Sequence, residues 1–329
     1  MDIFSDIYLL IKNSSEMKVL IFTHMYPSMG HPENGIFVKE QVDSLVNAGI
    51  DIDVLFCDVK KTKWLYPLSL FFLWKKIIEN KYDLVHAHYV FAGIIARFQF
   101  ILPVVITHHG EEAFHTYQKY LCWIISRLVN KTIVVSSQMK NAIGLEKIKI
   151  IPCGVDFNKF HPMDKNECKK KLGLSENKTY LLFAGDITKS LKRFDLVKEA
   201  VEILKQSRKN IELIVAYKRP YEEVVLYMNA ASIMLFPSER EGSPQVVKEA
   251  LACNLPVIAS DAGDISEIFN GINGCYIVER KAITLAEKTD FILNNIISSD
   301  GRDKIRRYEL NEIAKQVIGV YKSIVCKKE

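Results

Sequence analysis

The chain has 329 residues, room for two domains of ordinary size, and its 49% hydrophobic and 25% charged content is that of a soluble globular protein. A net charge of +5 and a pI near 8.6 are mildly basic. They fall short of the clustered charge of a nucleic-acid binder, yet suit anionic partners such as nucleotide phosphates or acidic lipid headgroups.

Residues 18–23 form a continuous apolar run, the pattern of a parallel strand covered on both faces. A loop rich in turn residues follows, with Pro27, Gly30, Pro32 and Asn34-Gly35. Phe37, Val38, Val42, Leu45 and Val46 then recur at helical spacing until Gly49 stops the helix. The cycle repeats with a strand at 52–56, a helix at 68–79, strands at 84–88 and 104–107, a helix at 117–129 and a strand at 132–136. A short strand at 148–151 closes this half, and the turn-rich stretch from Gly154 to Pro162 reads as a linker. The pattern restarts with a strand at 180–185, a helix at 194–206, strands at 211–217 and 233–236, a helix at 244–253 and a strand at 257–260. A helical tail at 303–325 ends it. Alternating strands and helices predict two doubly wound α/β domains facing each other across a cleft. The expected divisions are an extension at 1–16, a first domain at 17–157, a second at 158–302 and a tail at 303–329 placed to pack back on the first domain.

Seven cysteines stand singly, with no Cys-x-x-Cys pair, so a reducing, cytoplasmic setting is expected. The start, Met1-Asp2-Ile3-Phe4-Ser5-Asp6, lacks the features of a signal peptide, and no apolar run reaches the ~18 residues of a bilayer span.

The richest stretch runs from Pro237 to Ala250 between a buried strand and a helix. Ser243 is placed to cap that helix and Pro244 to open it. Asn254 and Pro256 mark its end. The loop then delivers the amides of Gly242, Ser243 and Gln245 to the carboxyl ends of the strands, where open α/β sheets bind ligands and helix N-termini favour anions. Glu241 precedes the helix and Glu249 lies two turns inside it. Both carboxylates can accept hydrogen bonds from hydroxyls.

This stretch resembles the GT-B glycosyltransferases of family 4, whose paired glutamates, seven residues apart within an E-G-x-P loop, match Glu241 and Glu249. "TIVVSSQMK", "IIPCGVDFNKFHP", "MNAASIMLFPS", "EALACNLPVIASDAGDISEI" and "YPSMGHPENGIFVKEQ" look like further family segments, so the likeness runs from about Met17 to Val325. Its nearest branch is similar to the bacterial envelope-polysaccharide transferases of the teichuronic acid type. The resemblance implies two Rossmann-like domains and retaining transfer of a hexosyl group from a nucleotide-sugar donor to a saccharide acceptor, without metal or added cofactor. It assigns Glu241 to donor-sugar hydroxyls, Glu249 to the ribose, and Gly35 with the following amides to phosphates or acceptor. Lys192 matches the diphosphate-binding lysine. Where the family has arginine after the strand-ending glycine, this chain has Asp186, and Lys189 or Arg193 is the expected substitute. His109 matches the family histidine near the reacting centre, and Glu112 stands where aspartate is usual.

Three weaker signals read differently. His86-Ala-His88 has same-face strand spacing but no further ligand, so it is expected to line the cleft. Asp51-Ile-Asp53 mimics a metal-binding pair but sits at the start of an apolar strand and reads as structural. Residues 64–76 combine aromatics with flanking Lys60, Lys61 and Lys63, and 117–127 adds Trp123 and further cations. Most of these apolar residues are expected to cover the sheet. A partly exposed rim would touch an anionic membrane carrying a lipid-linked acceptor. A nucleotide-sugar epimerase and a non-catalytic nucleotide-sugar-binding subunit stay open beside the transferase.

Overall fold

The computed structural model describes residues 17–31, 34–60 and 62–325. The expected extension at 1–16 lies outside them. Among the described residues the chain forms two compact units, one of 17–134, 143–151 and 314–325, the other of 135–142 and 152–313.

The first half of the chain runs β1 (Lys18–Thr23), α1 (Ile36–Asn47), β2 (Asp51–Phe56), α2 (Leu65–Glu79), β3 (Leu84–His88), α3 (Val90–Arg97), β4 (Val104–His108), α4 (Thr116–Leu128), β5 (Lys131–Val134), α5 (Ser137–Ile143) and β6 (Lys149–Ile150). Its strands form one parallel sheet in the order β2-β1-β3-β4-β5-β6. The apolar run of β1 is explained by burial from both sides, with Val19 to Phe22 inaccessible. Leu20, Phe22, Val85 and Ala87 pack with Leu73, Ile77, Ala92 and Ala96 of α2 and α3. The two-residue period of a strand turns His86 and His88 to the other face.

The second half runs α6 (Lys165–Lys171), β7 (Thr179–Ala184), α7 (Phe194–Lys205), β8 (Ile211–Ala216), α8 (Tyr221–Ala230), β9 (Ile233–Phe236), α9 (Gln245–Ala252), β10 (Val257–Ala259), α10 (Ile265–Phe269), β11 (Cys275–Ile277), α11 (Ala282–Asn294), α12 (Gly301–Lys304) and α13 (Leu310–Val325). Its sheet is also parallel, in the order β11-β10-β9-β7-β8. The tail is not one helix: a turn around Arg306–Tyr308 separates α12 from α13, and Tyr308 O accepts from Val155 N in the linker.

The C-terminal ends of α1 and α9 follow their sequence signals. Gly49 takes φ 87° and Asn254 φ 55°, the left-handed positions that close α1 and α9. In α9 the Asn254 and Leu255 amides return to the Leu251 and Ala250 carbonyls, satisfying groups a helix end leaves open.

Candidate functional site

In each sheet the strand order reverses beside one strand, β1 in the first and β7 in the second. Chain leaving the carboxyl ends of neighbouring strands diverges there and opens a crevice. In the second unit Lys192 and Glu241 lie on loops at this place; in the first, Gly35 lies on the loop after β1, while His109 follows β4, two strands away.

In the second unit the loop after β7 carries Lys192 and Arg193, and the loop after β9 carries Glu239 to Pro244. A backbone bond from Glu239 N to Leu191 O, 2.8 Å, ties the two loops together. Lys192 Nζ donates to Glu241 Oε1 at 2.6 Å, with side chains 24% and 14% exposed. An ammonium has three donors, so this bond leaves Lys192 able to meet an anion as well. Arg193 sits at φ 51° ahead of α7, and its guanidinium is held by Asp195 at 2.9 Å and Glu239 at 3.3 Å. Lys189 is exposed. Asp186 folds its own loop, accepting from both the amide and the hydroxyl of Thr188, bonds that also hold its carboxyl below the usual range.

Glu249 is buried on α9, where Tyr221 Oη donates to its Oε1 at 2.6 Å. The Tyr221 ring is itself placed by Phe160, and Lys159 Nζ lies 3.6 Å over it. Beneath the Glu241 loop, fully buried Lys248 pairs with Asp264 at 3.2 Å and donates to Ser243 Oγ and to Cys153 O. Burial pushes the Asp264 carboxyl up, against the pull of Lys248. Gly263, at φ 70°, lies under the same loop. A Cβ there would stand 2.7 Å from Gly242 O, so only glycine lets the turn press so close.

In the first unit Gly35, at φ 71°, precedes α1, and a Cβ on it would meet Met25 O at 2.5 Å. Its conformation and the packing of the loop against Met25 both require glycine. Two residues on, the Phe37 ring lies 4.7 Å from that of His109, so the Gly35 loop and the loop after β4 meet. The His109 amide donates to Glu112 Oε1 at 2.8 Å. The His88 and His109 rings stack and share a hydrogen bond of 2.8 Å between Nδ1 and Nε2. Behind them His86 is bonded to Tyr321 Oη at 2.6 Å and Thr107 Oγ1 at 2.7 Å. Burial, helped by the neighbouring rings His88 and His108, holds His109 well below its ordinary range, and burial alone brings His88 to about 3. These imidazoles are therefore neutral at pH 7. His109 Nδ1 is buried without a hydrogen-bond partner among the described residues. Tyr89 packs on His109 with φ 74° and ψ 156°, a region costing a non-glycine residue about 1–3 kcal/mol.

The sequence signature of Glycosyltransferase Family 4 matches residues 15–159, and that of the group 1 glycosyl transferases matches 217–295. The fold is that of a GT-B enzyme: sucrose-phosphate synthase of Thermosynechococcus elongatus superposes with a TM-score of 0.78 at 17% identity, over 95% of this chain and 100% of that one. The two parts of the chain thus carry the signatures of a family 4 and a group 1 glycosyltransferase on a GT-B fold. Among curated relatives, a Bacillus subtilis protein assigned as the teichuronic acid biosynthesis glycosyltransferase TuaC is 27% identical, over 82% of this chain and 88% of its own. The UDP-Gal:alpha-D-GlcNAc-diphosphoundecaprenol alpha-1,3-galactosyltransferase of Escherichia coli is also 27% identical, over 72% and 74%.

Several expectations for this glycosyltransferase need correcting. Ser243 does not cap α9. The residue before the helix is Pro244, and the Ser243 hydroxyl instead donates to Asp264 at 2.6 Å, drawn in by a buried ion pair that needs further polar partners. His86 and His88 are fully buried and line no surface, because they sit mid-sheet under Tyr321 and behind His109. Asp51 and Asp53 pair with Lys18 at 3.3 and 3.8 Å, and Asp53 also accepts from Tyr82. Tyr221, Lys248, Gly263 and Asp264 were missed. Lys248 and Asp264 were legible at most as charged residues inside apolar patterns.

Proposed function

We propose that this glycosyltransferase is a retaining enzyme that moves a hexosyl group from a nucleotide-sugar donor to a saccharide acceptor in cell-envelope polysaccharide synthesis. The observation that carries the reading is the Lys192–Glu241 pair at the crevice of the second sheet, with buried Glu249 held two turns along the adjoining helix. Glu249 would accept from ribose hydroxyls and Glu241 from hydroxyls of the donor sugar. Lys192, with the amides of Gly242, Ser243 and Gln245, would meet the diphosphate. Arg193 is engaged by two carboxylates and orders its loop, so Lys192 is the better placed cation. In transfer the anomeric C–O bond to the diphosphate breaks and its electron pair leaves on the phosphate oxygen. The acceptor oxygen bonds to the anomeric carbon on the same face, and its proton ends on the departing phosphate. A lysine and helix amides aimed at that oxygen stabilise the developing charge without a metal. In the first unit His109, neutral and with Nδ1 unengaged, would hydrogen-bond the donor sugar, while Gly35 and the next amides would serve the phosphates or acceptor.

The diphosphoundecaprenol-linked acceptor of the Escherichia coli relative supports an acceptor on a lipid carrier here. Among the described residues no helix is long and apolar enough to cross a membrane, so such contact would be peripheral. The test is incubation of the full chain with a panel of nucleotide sugars, with and without lipid-linked and soluble saccharide acceptors, before and after chelation. Acceptor-dependent release of nucleoside diphosphate, undiminished by chelator, is expected. Donor epimerised without acceptor, or activity restored only by magnesium or manganese, would overturn the reading.

A further inference from the structure

The helices α2, α3 and α4 form one layer over the first sheet, with α3 between the other two: Phe91 packs on Tyr66 at 5.8 Å, and a Cβ on Gly93 would stand 3.5 Å from Ile125. The sequence reading expected most apolar residues of α2 and α4 to be core. The structure corrects this. On α2 the buried side chains are Ser69, Leu73 and Ile77, while Trp64 before it is 77% exposed and Phe71 63%. Tyr117, Tyr120 and Ile124 are exposed on α4, and Phe98 and Phe100 beyond α3. Between α2 and α3 opens a cavity of about 420 Å³ with wholly apolar walls, including Tyr66, Leu70, Phe91, Ile94, Ile95 and Phe98. That volume falls among small-ligand sites, roughly 300–1,000 Å³, but such sites carry a few polar groups to orient a ligand and this one carries none. An occupant with no polar atoms inside the cavity is what those walls fit.

The charges around it say what brings that occupant. The three helices carry Lys75, Lys76, Arg97, Lys119 and Arg127 against the single carboxylate Glu79, and Lys60 and Lys63 precede them. A second copy of the chain would set cations against cations. An anionic bilayer meets them with opposite charge, and its interface is where aromatic side chains partition. We propose that this face docks on an anionic membrane and that the cavity between α2 and α3 takes one acyl chain of a membrane lipid. The inference rests on the membrane-associated reading above and gives it a place on the molecule.

The chain's three tryptophans, Trp64, Trp74 and Trp123, all lie on this layer, so the unlabelled full-length protein reports on it. Vesicles of phosphatidylglycerol with brominated or plain acyl chains, and of phosphatidylcholine, would be tested by cosedimentation and tryptophan fluorescence. Sedimentation with phosphatidylglycerol at low salt and quenching by the brominated chains are expected. Dissolved dihexanoyl phosphatidylglycerol, below its micelle concentration, should raise the melting temperature by roughly 2–4 °C. Filling the cavity by Ile94→Trp should abolish that rise while sedimentation persists, and Leu70→Phe serves if Ile94→Trp does not fold. No sedimentation would overturn the membrane reading together with the cavity, leaving the transfer assay untouched. Sedimentation without quenching, or an equal rise in the filled variants, would overturn the cavity alone. Concentration-dependent dimerisation abolished by Phe71→Glu would make a second copy the occupant and overturn both.

Discussion

Around His109 the first unit gathers neutral imidazoles and aromatic rings, His86, His88, His108, Phe37 and Tyr89. Around Glu241 the second unit gathers opposed charges, Lys192, Arg193 and Lys248 against Glu239, Glu241 and Asp264. The first arrangement keeps hydrogen-bonding capacity while excluding charge, so the threat to it is a proton. The second holds charge in place by pairing, so the threat to it is loss of one partner. Each unit therefore predicts its own way of failing.

The largest expected effect is acid destabilisation of the first unit. His86, His88, His108 and His109 bind protons less readily folded than unfolded, because burial disfavours the imidazolium. The unfolded chain then holds more protons below its ordinary histidine value, so stability rises with pH. For His88 and His108 the contribution is complete above about pH 6.5 and is lost as pH falls toward about 3, by roughly 1.4 kcal/mol per pH unit for each of these two imidazoles. Urea unfolding from pH 8 to 5 should show that slope, and His88→Gln should reduce it by one proton. A flat profile would mean that the cluster is not sealed.

The next effect belongs to the second unit. Lys248→Met leaves Asp264 buried without its partner and should cost about 3–5 kcal/mol, while Lys248→Met with Asp264→Leu should recover most of it. Urea midpoints decide this. A single variant costing under about 1 kcal/mol would show that the pair does not hold the Glu241 loop.

A smaller effect sharpens the comparison at Glu249. Tyr221→Phe removes one donor to that carboxylate and should raise donor KM about 5–10-fold with kcat unchanged, the yield of a net hydrogen bond near 1 kcal/mol. A fall in kcat with unchanged KM would place Tyr221 at the chemistry instead.

How far the sequence was legible follows the same division. Strands β1, β3, β4, β7 and β9 were readable because continuous apolar runs have few other uses in an α/β protein. Helix α3 was not, since Val90–Arg97 prolongs the apolar run of β3 and only the turn at Tyr89, φ 74°, separates them. Glu241, Glu249, Lys192 and His109 stood out through a motif. Their supports did not, because Tyr221 reaches Glu249, Tyr321 reaches His86 and Asp264 reaches Ser243 from distant chain positions that one sequence does not connect. The exposed aromatics of α2 and α4 were misread for a related reason: apolar periodicity marks a face but not whether anything covers it.

The central claim is that Glu249 binds the nucleotide and Glu241 the sugar. Titration calorimetry with nucleoside diphosphate, paired with steady-state transfer, on Glu249→Gln and Glu241→Gln tests it most directly. Each substitution removes a charge-assisted hydrogen bond of roughly 1.5–3 kcal/mol, about 10- to 150-fold. Glu249→Gln should lose that factor in diphosphate affinity, while Glu241→Gln should bind diphosphate as the wild type does and lose it in kcat. Wild-type binding and turnover in both variants, or the two losses exchanged, would contradict the account.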